Sequence, residues 1–256
     1  MRPILVTGGT GTLGRVVVAK LRAAGVGVRV LSRRPRGSAE VADEWALGDL
    51  RSGAGLAEAV RGVRAIVHCA SEPLGDRDVA GTERLVAAAR AAGSPHLVYI
   101  SIVGVDLVPL PYYRTKLAVE HVIRRSGLPY SVLRATQFHD LLVHVFGLLA
   151  KLPVFVFPAG MRFQPVDVRD VADQLVLLAT GEPTGEVDDL GGPIADSGLA
   201  FARQYLAAAA IRRPVIGIPL PGKTMRGFRA GGNLAPAHAD GSRSYSDFLA
   251  ENVDAG

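Results

Sequence analysis

The chain has 256 residues, 48% hydrophobic and 21% charged, which suits one large α/β domain, or one with a small appendage, and excludes a disordered or fibrous protein. Its formal charge is +5 and its pI about 9.6, yet Lys and Arg are spread along the chain and cluster only in "RRPR" at 33–36; that argues against nucleic acid and for an anionic small ligand. The single cysteine, Cys69, excludes an intrachain disulfide framework and a cysteine-based zinc cluster, and fits a reducing cytoplasm.

The N-terminus, "MRPILVTGG", runs at once into glycines, so no signal peptide is expected. Strands are predicted over 3–7, 27–31, 45–48, 64–69, 97–101 and 130–134, with helices over 12–24, 53–61, 78–92 and 112–126 between them. This alternation predicts βαβ units and a doubly wound parallel sheet with helices on both faces. After 138 the rhythm changes. An apolar run over 141–150 precedes "PVFVFP" and then "PVDVRDVADQLVLLAT", whose Val166, Asp167 and Asp170 read as a helix entry. The most apolar stretch, 141–157, is broken by Lys151 and Pro153 and is too short to span a bilayer. We therefore expect a nucleotide-binding domain over 1–150 and smaller, interleaved substrate-side elements over 151–256, in one structural unit overall.

"TGGTGTLG" (7–14) joins the first strand to the first helix. Gly8 permits the tight turn, Gly11 lets the backbone approach a pyrophosphate, and Gly14 lets helix pack on strand. The helix start then offers backbone N–H groups, those of Thr10, Thr12 and Leu13 included, to phosphates. At the end of the second strand an acidic residue would hold a ribose 2′-hydroxyl. Here "LSRRPR" supplies Ser32, Arg33 and Arg34 instead, which suits a 2′-phosphate and hence NADP(H); a solvated basic loop is the plainer alternative. Asp49 in "GDL", with Leu50 beside it, can accept from an adenine amino group or simply cap a helix. "HCAS" ends the fourth strand where backbone passes ribose and pyrophosphate, so Cys69, Ala70 and Ser71 are candidate cofactor contacts. Cys69 itself reads as a small apolar filler rather than a nucleophile.

These motifs, with "DVAGTERLVAAARAAG" (78–93), "LVYISIVGVD" (97–106), "YYRTKLAVEHVIRRSGLPYSVLRATQFHD" (112–140) and "PVDVRDVA" (165–172), resemble the atypical, NmrA-like branch of the short-chain dehydrogenase/reductases over nearly the whole chain. The resemblance implies a Rossmann fold with a smaller C-terminal substrate-side subdomain. It also implies a catalytic set of Ser101, Tyr112 and Lys116, with Asp78 where the wider family has Asn. Tyr112 would exchange a proton with the substrate oxygen, Lys116 would favour phenolate and hold the nicotinamide ribose, and Ser101 would bond the substrate oxygen. Tyr113, three residues from Lys116, is the alternative acid. Pro111 suits a first helical turn, which would put Tyr112 near a helix N-terminus. Thr136, Gln137 and Phe138 would lie by the nicotinamide, and Phe146 and Leu148 would roof an apolar pocket or pack in the core. His139 and His144 are five apart and imply no metal.

The implied activity is NADPH-dependent reduction of a small, fairly apolar carbonyl, quinone or enone by a cytoplasmic monomer or homodimer, without nucleic acid, membrane or metal. The branch also holds non-catalytic NADP(H)-binding sensors, and the same site serves epimerases and dehydratases.

Overall fold

The computed structural model describes residues 2–37, 42–71 and 77–253. Strand β1 (Ile4–Thr7) leads through the glycine loop into helix α1 (Thr12–Ala23). There follow β2 (Val28–Ser32), β3 (Glu44–Leu47), α2 (Leu56–Val60), β4 (Ala65–His68), α3 (Arg77–Ala91), β5 (His96–Ile102), α4 (Pro111–Arg124) and β6 (Tyr130–Ala135). Each lies where hydrophobic periodicity places it, to within a few residues. Helix α2 is shorter than the expected 53–61. Gly53 and Gly55 sit in the left-handed region (φ 83° and 73°), and a Cβ on Gly55 would come within 2.1 Å of the Leu47 carbonyl oxygen, so the helix cannot start before residue 56.

Beyond β6 come α5 (His139–Leu149), β7 (Phe155–Pro158), β8 (Arg162–Phe163), α6 (Val168–Thr180), β9 (Gly185–Glu186), β10 (Asp196–Ser197), α7 (Gly198–Ala208), β11 (Val215–Ile218), α8 (Lys223–Arg229) and α9 (Tyr245–Asn252). The chain forms two compact units. The first comprises Met1–Ser101, Pro111–Arg134 and Val171–Asp188; the second comprises Ile102–Leu110, Ala135–Asp170 and Asp189–Gly256. No single cut in the chain separates them.

The main sheet runs β3-β2-β1-β4-β5-β6-β9, and the pairs β3-β2, β2-β1, β1-β4, β4-β5 and β6-β9 are parallel. After β1 the chain builds outward to β3, then crosses back to place β4 on the other side of β1. The order therefore reverses at β1 and β4, and a crevice opens beyond their carboxyl ends, where doubly wound sheets bind ligands. Side chains alternate across a strand. Leu5, Leu31, Ile66, Leu97 and Tyr99 meet Leu56 and Val60 of α2, Leu85 and Val86 of α3, and Val119 and Ile123 of α4 in one buried cluster. Ile4, Val6, Val28, Val30 and Val67 are also buried, so both faces are covered, and the strands read as continuous apolar runs. Helix α1 packs against β1 and β2, and Lys20 reaches Asp173 of α6 at 2.6 Å.

The second unit is built on small pairings, β10 antiparallel to β8 and β11 parallel to β7, with α7 packing on α5 and α9. Phe146 is fully buried there, edge-on to Phe155 and Phe157 at 5.8 and 5.6 Å between ring centroids. Phe146 thus packs in the core, whereas Leu148 is exposed. Among the described residues no helix is long and apolar enough to cross a membrane.

Candidate functional site: a dinucleotide crevice with a tyrosine at its edge

Three contacts shape the glycine loop. Gly8 has φ 68°, and a Cβ there would lie 2.7 Å from the Ala70 nitrogen, so the loops after β1 and β4 touch backbone to backbone. Gly11 donates its N–H to the Gly8 carbonyl at 2.9 Å and starts α1 in an extended conformation (φ −82°, ψ 174°). A Cβ on Gly14 would fall 2.1 Å from the Gly8 carbonyl oxygen, so only glycine lets α1 approach this closely. No side chain caps α1 and no acid stands in its first turn. The first N–H groups of a helix lack intrahelical acceptors, and the dipole there favours an anion. Leu13 buries its side chain in the core, which leaves only its backbone for a ligand, and Thr12 is exposed.

Beyond this loop lies a cavity of about 330 Å³. Thr7, Gly8, Thr10 and Gly11 line one wall; Leu31, Ser32, Arg33 and Arg34 come from the end of β2, and Gly48, Asp49, Leu50 and Arg51 from the end of β3. His68, Cys69, Ala70 and Ser71 follow β4, and Arg77, Asp78 and Gly81 belong to α3. The arginine loop is braced. The Arg34 N–H donates to Ser32 Oγ at 3.1 Å and Trp45 Nε1 donates to the Arg34 carbonyl at 2.9 Å, leaving both arginine side chains exposed beside the cavity. Arg51 and Arg77 add charge that sequence reading overlooked. The Asp49 carboxylate accepts from the Arg51 N–H at 3.0 Å, so it holds its own turn while lining the cavity. The residues fit a dinucleotide: a backbone cradle that any Cβ would fill, an uncapped helix start, and four arginines round the walls.

A second feature escaped the sequence. His68 is buried between two threonines, with Nδ1 2.7 Å from Thr7 Oγ1 and Nε2 3.0 Å from Thr82 Oγ1. Thr82 gives its own proton to the Asp78 carbonyl (2.7 Å), so it must accept from Nε2–H, which leaves Nδ1 to accept from Thr7. The chain of donors runs from the Ala70 N–H through Thr7, His68 and Thr82 to α3, and it works only with neutral imidazole. Burial, with Lys116 adding to it, lowers the His68 pKa to about 3. This network fixes the floor of the crevice to the start of α3. Burial also pushes the Cys69 thiol up to about 12, which suits a filler and not a nucleophile.

Helix α4 begins at Pro111 and brings Tyr112 to the edge of this crevice, whereas Tyr113 is buried in packing. The Tyr112 hydroxyl lies 2.9 Å from Ser71 Oγ, and Ser71 donates to Asp78 Oδ2 at 2.8 Å. Ser71 has one proton and spends it on Asp78, so Tyr112 donates to Ser71. Burial, and then the charge of Asp78, raise the Tyr112 pKa above that of an exposed tyrosine. That reverses the expected direction. Lys116, the cation expected to favour phenolate, donates instead to the Ile100 carbonyl at 2.8 Å and lies 4.4 Å from the centre of the Tyr99 ring. Burial brings its own pKa down to about 8.

Ser101 also differs from expectation. It is buried, and its hydroxyl donates to Glu120 Oε1 at 2.5 Å, where it is engaged with a carboxylate rather than turned to a substrate. Arg124 and Arg134 hold the same carboxylate at 2.9 and 2.8 Å. Thr136, Gln137 and Phe138 belong to the second unit. The Thr136 hydroxyl donates to the Gln164 carbonyl, Gln137 and Asn233 exchange bonds of 3.3 and 3.4 Å, and half-buried Phe138 bridges to Val166.

The known proteins agree with this geometry. Residues 8–148 match the model of a family described as NAD(P)H-binding. A (4-alkanoyl-5-oxo-2,5-dihydrofuran-3-yl)methyl phosphate reductase of Streptomyces griseus is 36% identical over 186 residues, 70% of this chain and 63% of that protein. A photosystem II assembly factor of Trieres chinensis is 30% identical over 182 residues, 66% of this chain and 57% of its own. The chain thus spans about three fifths of the length of these two relatives. Among solved structures, an NADPH-dependent quinone oxidoreductase of Escherichia coli complexed with NADPH shares the fold, with a TM-score of 0.82, 19% identity, and 97% of this chain and 99% of that one covered. The matched segment contains the glycine cradle, the arginine loop and Tyr112, and on that ground the chain belongs to the NAD(P)H-binding family, with a Rossmann fold.

Proposed function

We propose that this protein is an NADPH-dependent reductase of a small, fairly apolar carbonyl, quinone or enone compound, with Tyr112 as its proton donor. The observation that carries the reading is the Tyr112 hydroxyl held by Ser71 at the rim of a crevice built for a dinucleotide. Bound NADPH would supply the hydride. The chain's own residues then have three tasks. The glycine cradle and the start of α1 hold the pyrophosphate, and Arg33 and Arg34 hold a 2′-phosphate. Tyr112 delivers a proton to the substrate oxygen, and its raised pKa keeps it protonated at neutral pH. The Streptomyces griseus relative, a reductase by name, supports this direction.

The test is Tyr112→Phe. Reduction of a panel of quinones and aromatic ketones should fall about 100-fold in kcat or more, with NADPH affinity unchanged. A second reading, a nucleotide-binding assembly factor without turnover, is favoured by the relative of that name and by the engagement of Ser101 with Glu120. Turnover that survives in Tyr112→Phe would remove Tyr112 as the proton donor, and turnover absent from the unaltered protein across the panel would move the reading there.

A further inference from the structure

We propose that Asp78, acting through Ser71, is the positioning residue that keeps Tyr112 a phenol and fixes the direction of its O–H, so that the site works as an acid. This rests on the reading of Tyr112 as proton donor. The argument begins with hydrogen-bond direction. Asp78 accepts the Ser71 proton at 2.8 Å, so Ser71 can only accept from Tyr112 at 2.9 Å. A phenolate at Tyr112 would compete with the Asp78 carboxylate for the one Ser71 proton and stand one residue from that negative charge. Burial, and then the charge of Asp78, favour the neutral phenol against the pull of the Ser71 bond.

Among the described residues, Asp78 on α3 and Tyr99 on β5 face Tyr112, and Lys116 stands one turn along α4 with His68 and Cys69 beside it. Tyr99 is neutral, its pKa raised well above the usual value by burial. His68 is neutral through its threonine bonds. Lys116 is the one cation of this set, and its ammonium is turned to the Ile100 carbonyl and the Tyr99 ring. Asp78 thus supplies the charge that, with burial, holds the hydroxyl neutral. When the donor works, the Tyr112 O–H bond breaks, its proton goes to the substrate oxygen and the bonding pair stays on Oη. Ser71 then gives its proton to Oη and takes one from solvent at its exposed side, so each turnover consumes one solvent proton.

The experiment is a titration of phenol absorbance in the whole protein without substrate, each trace taken against the same background carrying Tyr112→Phe. Asp78→Asn should shift the ionisation of Tyr112 to lower pH, and Asp78→Glu should restore it. The alkaline limb of kcat should move by the same amount. An unshifted midpoint in Asp78→Asn overturns the proposal. Should Asp78→Asn not fold, Ser71→Ala decides. It keeps the charge and removes the tether, so kcat should fall about ten-fold with KM little changed, and an unchanged kcat overturns the proposal. Full turnover in Tyr112→Phe would sink the proton-donor reading, whereas the titration reads the Asp78–Tyr112 coupling without turnover.

Discussion

Arg33 and Arg34 end β2 where a ribose 2′-substituent would sit, and the Trp45 bond to the Arg34 carbonyl holds their loop in place. A guanidinium forms paired, charged hydrogen bonds with phosphate that it cannot form with a hydroxyl. The Arg33→Ala, Arg34→Ala double variant should lose about 10- to 100-fold in NADPH affinity and little in NADH affinity, read by fluorescence titration. Equal affinity for the two cofactors in the unaltered protein would refute the 2′-phosphate assignment. The place of these arginines and of the glycines at the cavity wall was legible in the sequence, because it depends on local spacing after a strand. Ser101 was not. Its partner Glu120 lies nineteen residues on, and nothing in "YISIVG" reveals a carboxylate behind it. The Ser71 link to Tyr112 spans 41 residues and is equally invisible until β4 and α4 are placed.

Glu120 shows what the elements do with that carboxylate. It is fully buried on α4 and accepts from Ser101 on β5, Arg134 on β6 and Arg124 one turn along α4, which in turn binds Glu186 on β9. Three elements of the first unit meet at this side chain, and β9 joins them through Arg124. Removing one partner of a buried ion pair leaves the others uncompensated, which costs about 3–5 kcal/mol for fully buried groups. Both guanidiniums keep 20–26% of their surface in water, so Glu120→Ala should cost less, roughly 2–3 kcal/mol in urea unfolding. A loss below about 0.5 kcal/mol would mean the cluster is surface decoration. The elements themselves were readable through β6, since each carries either an unbroken apolar run or a 3.6-residue stripe. The second unit was hard to read because its strands β8 and β10 are two residues long, too short for periodicity, and its core rests on aromatic contacts between distant segments, such as Phe146 with Tyr205 and Phe201 with Tyr245.

For the whole molecule, buried histidines set the response to acid. His68 and His96 in the first unit and His139 in the second are each held below the ordinary histidine range by burial, His68 at about 3. The unfolded chain takes up protons near pH 6.5, where the folded chain refuses them. Their contribution is therefore complete above about pH 6.5 and drains away as pH falls toward the folded values, at up to ~1.4 kcal/mol per pH unit for each such group. Carboxylates with lowered pKa, Asp43 and Asp167, act in the same sense, but only below the ordinary carboxylate range. Between pH 6.5 and 4.5 the histidines thus dominate. Urea midpoints should drop steadily over that window. His68→Gln, which can bond both Thr7 and Thr82 but cannot titrate, should lower stability at pH 7.5 while flattening the slope. A slope unchanged in the variant would show that His68 is protonated as readily in the fold as outside it, and the donor chain from Thr7 to Thr82 would then have to be redrawn.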